Sequence, residues 1–211
     1  MILDELSKEI DAILGRITIS QLRRYHELQC TLQKTDVSKD QAYKRLFNGF
    51  YRMQRRESDW YAYFFSLLEA EKKNTRVSFK QILGRIHADR GRVEPSFSSK
   101  LVATIRPRLP VYDKHVRENL RLAVPRPTDA PAARVAKYIK LYSGLSRDLT
   151  RLAQHPKFAI LRQRFDAKFG PFAGFTDIKK LDLLLWQHRG TRSRTRRSRA
   201  PAARGGRLLA P

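Results

Sequence analysis

The sequence predicts an all-α fold, and three observations carry that expectation. Apolar residues recur at three- and four-residue spacing through most of the first 188 residues. Two Ser-x-x-Gln segments read as capping boxes, which open helices by satisfying free backbone N–H groups. The only strand-like pair, Val111-Tyr112, is too short to build a sheet.

The elements follow in chain order. Ile2, Leu3, Leu6, Ile10, Ile13 and Leu14 form one helical stripe. Leu22, Tyr25, Leu28 and Leu32 form a second, with Ser20 as its cap. Ser38 to Gln41 is the first capping box, and its helix carries Tyr43, Leu46, Phe47 and Phe50. Glu57 to Lys72 holds Trp60, Tyr61, Tyr63, Phe64 and Phe65, read as core first and as a base-stacking platform second. Ser78 to Gln81 is the second capping box, opening a helix through Ile82, Leu83 and Ile86. Asp89-Arg-Gly-Arg makes a turn before a helix near Ser96. The Arg106-Pro-Arg-Leu-Pro loop leads to a helix from Lys114 to about Leu122. Pro125 to Pro131 is a connector, and a long helix runs from about Ala132 to Leu152. Two more helices lie near Phe158–Lys168 and Thr176–Gln187, giving about ten in all.

The 211 residues are 41% hydrophobic, enough for a real core. Forty-four Lys and Arg face 20 Asp and Glu, a formal charge of +24. That excess implies a polyanionic partner, with DNA or RNA ahead of a membrane surface because the charge is spread along the chain. Residues 189–211 hold eight of the arginines and no acid, and are predicted to be a disordered basic tail. Residues 1–188, the predicted helical domain, keep +16. Cys30 is the only cysteine, so no internal disulfide and no four-cysteine metal or iron–sulfur site can form. The five histidines show no metal-ligand spacing, and no cofactor is expected. No apolar run reaches membrane-span length and no signal-peptide pattern opens the chain, so a cytoplasmic, nucleoid-associated location is expected.

One segment stands out for chemistry, Ser96 to Val116. It puts Lys100 in the first turn of one helix and Asp113 at the start of the next. A lysine can attack a sugar carbon as an amine, and its pKa falls readily among other cations. An aspartate at a helix N-terminus stays ionised and can stabilise a developing cation. Taken singly, Lys100 reads as a solvated surface lysine and Asp113 as an N-cap. Ser96, Ser98, Ser99, Arg106, Arg108, Lys114, His115 and Arg117 surround the pair and are candidate nucleic-acid contacts.

Val111-Tyr-Asp-Lys-His-Val-Arg117 resembles the V-D-x-H-V-x-R segment of the helix–hairpin–helix DNA glycosylase superfamily, which includes endonuclease III and 8-oxoguanine glycosylase. Ser98-Ser-Lys-Leu-Val-Ala103 is similar to the end of that family's hairpin, G-x-G-x-K-x-A. Glu94 to Lys100, Pro110 to Asp113, and Lys179 to Gln187 look like a divergent bacterial branch of such proteins. The close resemblance covers residues 75–125 and 176–187, and Pro95, Phe97 and Ser99 stand where hairpin glycines are expected. It implies a glycosylase-like helical fold with its hairpin and catalytic segment at about 96–122. It also implies a DNA glycosylase, with or without abasic-site lyase activity, acting on a base flipped from duplex DNA. Lys100 would be the nucleophile and Asp113 its electrostatic partner.

Two other classes stay open. One is a non-catalytic basic nucleic-acid-binding protein on a helical fold. The other is a helical adaptor that touches nucleic acid through its tail alone. A helix–turn–helix reader fits less well, since about nine residues separate the predicted Phe79–His87 and Phe97–Ile105 helices. Base identity, biological role and oligomeric state are not encoded in any motif.

Overall fold

The computed structural model describes residues 2–53 and 56–189. Among these it is all-helical and contains no strand. Eleven α-helices follow one another: α1 (Ile2–Lys8), α2 (Ile10–Arg16), α3 (Ile19–Thr31), α4 (Gln41–Tyr51), α5 (Ser58–Glu71), α6 (Phe79–Arg90), α7 (Pro95–Ile105), α8 (Lys114–Asn119), α9 (Pro131–Ala153), α10 (Pro156–Lys168) and α11 (Asp177–Gln187). A single 3-10 turn, Gly170–Phe172, joins the last two. All but the first residue of the predicted tail, residues 190–211, lie outside the described residues.

Several boundaries differ from the sequence expectation, each for a local reason. The N-terminal stripe is two helices, because the backbone at Glu9 leaves helical geometry. Its apolar residues Leu3, Leu6, Ile10, Ile13 and Leu14 are nevertheless all buried. Thr18, not Ser20, caps α3, its hydroxyl accepting from the Gln21 N–H. Asp40, not Ser38, caps α4, accepting from the N–H groups of Ala42 and Tyr43. Ser38 instead binds the Asp36 carboxylate through both its N–H and its hydroxyl. Ser78 caps α6 as expected, accepting from Gln81 N–H. The C-terminus of α6 lies at Arg90, followed by Gly91 at φ 63°, a left-handed position that glycine fills without a Cβ penalty.

Only four residues, Gly91 to Glu94, separate α6 from α7, against the nine expected. The two helices pack against each other as a tight hairpin. The helix expected to reach Leu122 stops at Asn119, and Arg121 adopts φ 52° in the turn that follows.

The buried side chains form one hydrophobic cluster drawing on every helix. Trp60, Phe64 and Phe65 of α5 are core, with Trp60 and Phe64 each edge-on to Phe97 of α7. Seven consecutive residues of α7 beyond Phe97 are also buried, so this helix is enclosed on all sides. α11 is enclosed in the same way, from Ile178 through Leu185. These two interior helices set the walls of the candidate site.

Candidate catalytic cleft

An interior helix carries polar groups only if they are satisfied. Most in α7 are. Ser98 Oγ donates to Glu94 O at 2.8 Å. Ser99 Oγ donates to Ser96 O at 2.9 Å and accepts from Tyr112 N–H at 2.9 Å. Thr104 donates to Lys100 O at 2.8 Å and meets Tyr51 Oη at 2.9 Å. Lys100 is the exception. It is 7% exposed, yet its amine makes no hydrogen bond or ion pair among the described residues. It lies 5.9 Å from the Phe97 ring. Burial pushes its pKa down to about 8, with the Asp113 charge pulling the other way.

Asp113 comes to Lys100 through the 106–113 loop, and α11 shapes that loop. Thr176 donates to Pro107 O at 2.7 Å, Val111 N–H donates to Asp182 Oδ2 at 3.2 Å, and Tyr142 of α9 donates to Pro110 O at 2.8 Å. The Ser99–Tyr112 bond then ties the loop's end to the turn of α7 that carries Lys100. Asp113 caps α8 through a 2.9 Å bond from Val116 N–H, the only hydrogen bond to its carboxylate among the described residues.

Lys100 and Asp113 therefore line one cleft, as their joint occurrence in the sequence suggested. Its buried wall also holds Tyr51, Val111, Val116, Lys179, Asp182 and Leu183, and half-buried Gln21, Phe50 and Trp186 stand toward the surface. The free space is small, about 40 Å³. That is room for a few water molecules.

Lys179 and Asp182, one turn apart on α11, were not identified from the sequence as site residues. They form a buried pair at 3.5 Å. Lys179 also sits over the Tyr25 ring at 4.7 Å, with Phe50 and Tyr51 at 5.9 Å. Burial pushes its pKa down, but Tyr51, Tyr25 and Asp182 outweigh this and hold it above the ordinary lysine value. Burial raises Asp182 to about 6 against the opposing pull of Lys179 and Val111 N–H. Asp182 Oδ1 has no hydrogen-bond partner among the described residues. The signal was present in the sequence: two charges at i, i+3 inside the apolar run of α11. Tyr51 and Gln21 carried no such mark.

Trp186 is half-buried at the cleft. The Arg52 guanidinium lies 4.5 Å above its ring, and His115 meets it edge-on at 5.7 Å. Burial lowers the His115 pKa, so the ring is neutral at physiological pH.

The other predicted contact residues separate into two groups. Ser98 and Ser99 are fully buried, which corrects their assignment as nucleic-acid contacts: the Ser98 hydroxyl bonds Glu94 O at the start of α7, and Ser99 ties α7 to Tyr112. Arg106 is half-buried and donates to Val77 O at 3.0 Å, away from α8. Ser96 and Arg117 are half-buried, while Arg108 and Lys114 are exposed, Lys114 being 3.9 Å from Glu118. Among the described residues no cluster of His, Cys, Asp or Glu is placed to hold a metal ion, and no helix is long and apolar enough to cross a membrane. Comparison with protein-family models, with curated proteins and with solved structures finds no match to this chain.

Proposed function

We propose that this chain is a DNA glycosylase that uses Lys100 as an amine nucleophile on the deoxyribose of a damaged or modified nucleotide. The observation that carries the reading is the largely buried Lys100 side chain, whose amine has no hydrogen-bonding partner among the described residues and shares a cleft with Asp113. A largely buried lysine without a hydrogen bond is costly as a structural element, because only the Asp113 charge offsets its desolvation. As a nucleophile it is useful for the same reason, since the neutral amine becomes accessible near neutral pH.

The reaction follows from the two groups. The neutral amine attacks C1′ of an extruded nucleotide, the C1′–N bond breaks, and the base leaves with its bonding electrons and takes up a proton. The amine loses a proton, O4′ takes one up as the C1′–O4′ bond opens, and an iminium is left. Asp113 stabilises the positive charge that develops on the sugar. Loss of a C2′ proton from the iminium expels the 3′ phosphate, which is the lyase step. Hydrolysis of the imine returns Lys100.

A second reading, a nucleic-acid-binding protein without catalysis, is favoured by one observation, the 40 Å³ of free space. A nucleoside is larger. Under the catalytic reading, admission of the sugar requires Trp186 or Gln21 to shift, as side chains at binding surfaces commonly do.

The test is borohydride trapping on duplexes carrying an abasic site or an oxidised base. Wild type forms a covalent adduct, and Lys100→Gln forms none while binding the same duplex within a few-fold. Equal adduct in the variant, or no adduct with wild type, moves the assignment to the binding reading.

A further inference from the structure

A second concavity lies beyond α8, between the 122–126 connector and α9. It is open and far roomier than the cleft, about 740 Å³. Asp113, in the cleft, caps the start of α8, and Leu122, in the groove, follows its end, so one six-residue helix connects the two linings.

The α9 side of the groove is a cationic line. Lys137, Lys140, Gly144 and Arg147 line the groove, spaced three, four and three residues apart on one face, and Arg151, outside the lining, continues that face about 21 Å from Lys137. Lys140, Arg147 and Arg151 are exposed, and none has an ion pair among the described residues. Arg126 faces them from the connector. Of the two carboxylates in the lining, Asp129 is committed to Lys137 at 2.8 Å and to Arg126 N–H at 2.9 Å, and Asp148, exposed beside Arg147 on the same side of α9, has no ion pair among the described residues. Gly144 interrupts the line where an added Cβ would meet nothing within 4 Å, so a backbone can lie close to the helix there.

We propose that this groove binds the phosphodiester backbone of duplex DNA, as a second anchoring surface separate from the cleft. Charge decides the class of occupant. The unpaired cations Lys140, Arg147 and Arg151 complement a row of phosphates. The chain's own basic tail, seven arginines and no acid in residues 190–211, is repelled by these cations.

The test measures affinity for an undamaged duplex of about 25 base pairs across a salt series, for wild type and for Lys140→Glu/Arg147→Glu. Undamaged DNA keeps the chemistry of Lys100 out of the readout. The variant is expected to bind at least tenfold more weakly at about 0.1 M salt, with the slope of log K against log [salt] reduced by about 2, near 0.9 per lost contact. Both substitutions are on exposed positions, and unchanged thermal melting separates this loss from misfolding. Unchanged affinity and slope overturn the proposal. So does loss of binding to poly-glutamate with DNA binding intact, which would make the groove a seat for an acidic protein. The groove and the proposed chemistry fail separately. If the borohydride adduct is absent, the catalytic reading falls and the groove result stands.

Discussion

An ammonium held beside Phe97 without a hydrogen bond is disfavoured relative to a neutral amine, and this sets the behaviour of Lys100. Its pKa near 8 has a kinetic consequence. The reactive form is the free amine, which gains tenfold per pH unit below the pKa and saturates above it. Single-turnover adduct formation is therefore expected to rise with pH from 6 to about 8 and to flatten by pH 9. A rate that keeps climbing through pH 9.5 would mark an ordinary solvated lysine and contradict the buried assignment. The sequence singled out Lys100 and Asp113 because two residue types of matching chemistry fell inside one longer matching segment, and the fold brings both to one cleft. Ser98 and Ser99 were misread there, because their spacing says nothing of which side of an interior helix meets solvent.

At the scale of elements, α11 does what α7 does, but from the opposite wall. Its Lys179–Asp182 pair holds the 106–113 loop through Val111 N–H, and so holds Asp113 in register with Lys100. Breaking one half of a buried pair leaves an uncompensated charge, which costs about 3–5 kcal/mol. Asp182→Ala is expected to lose that much in urea unfolding. Lys179→Met/Asp182→Leu should recover most of it, because the charges then leave together. If the single variant loses under about 1 kcal/mol, the pair is not holding the loop. The helices themselves were readable from periodicity: α3 to α7 and α9 to α11 stand where their apolar stripes put them. Their ends were less so. Thr18 against Ser20, and Asp40 against Ser38, were settled by where the backbone turns extended and by a rival bond from Asp36, neither of which spacing encodes. The α6–α7 interval was overestimated because α6 runs on to Arg90 and α7 begins at Pro95, at the first helical position, which proline favours.

Across the whole molecule, charge and concavity are arranged on either side of α8. One side offers a narrow cleft with an amine and a carboxylate, the other an open groove with a row of cations. The net charge read from the sequence predicted a polyanionic partner, but not the presence of two separate concavities, one with an amine and a carboxylate and one with exposed cations. That arrangement depends on residues over 100 positions apart, such as Gln21 and Trp186 at the cleft. Deleting residues 190–211 removes seven arginines and leaves +17. Duplex affinity is then expected to weaken by an order of magnitude or so with a shallower salt slope, while the trapped adduct at saturating protein is unchanged. Complete loss of binding would show that the basic tail, not the helical body, carries the contact.

The most direct measurement is the address of the adduct. Wild-type protein trapped by borohydride on an abasic duplex, digested with nuclease and trypsin, can be sequenced by mass spectrometry. The account predicts that the sugar remnant sits on Lys100, in a peptide left uncut at that lysine. A remnant on Lys114, Lys179 or any other amine would contradict it.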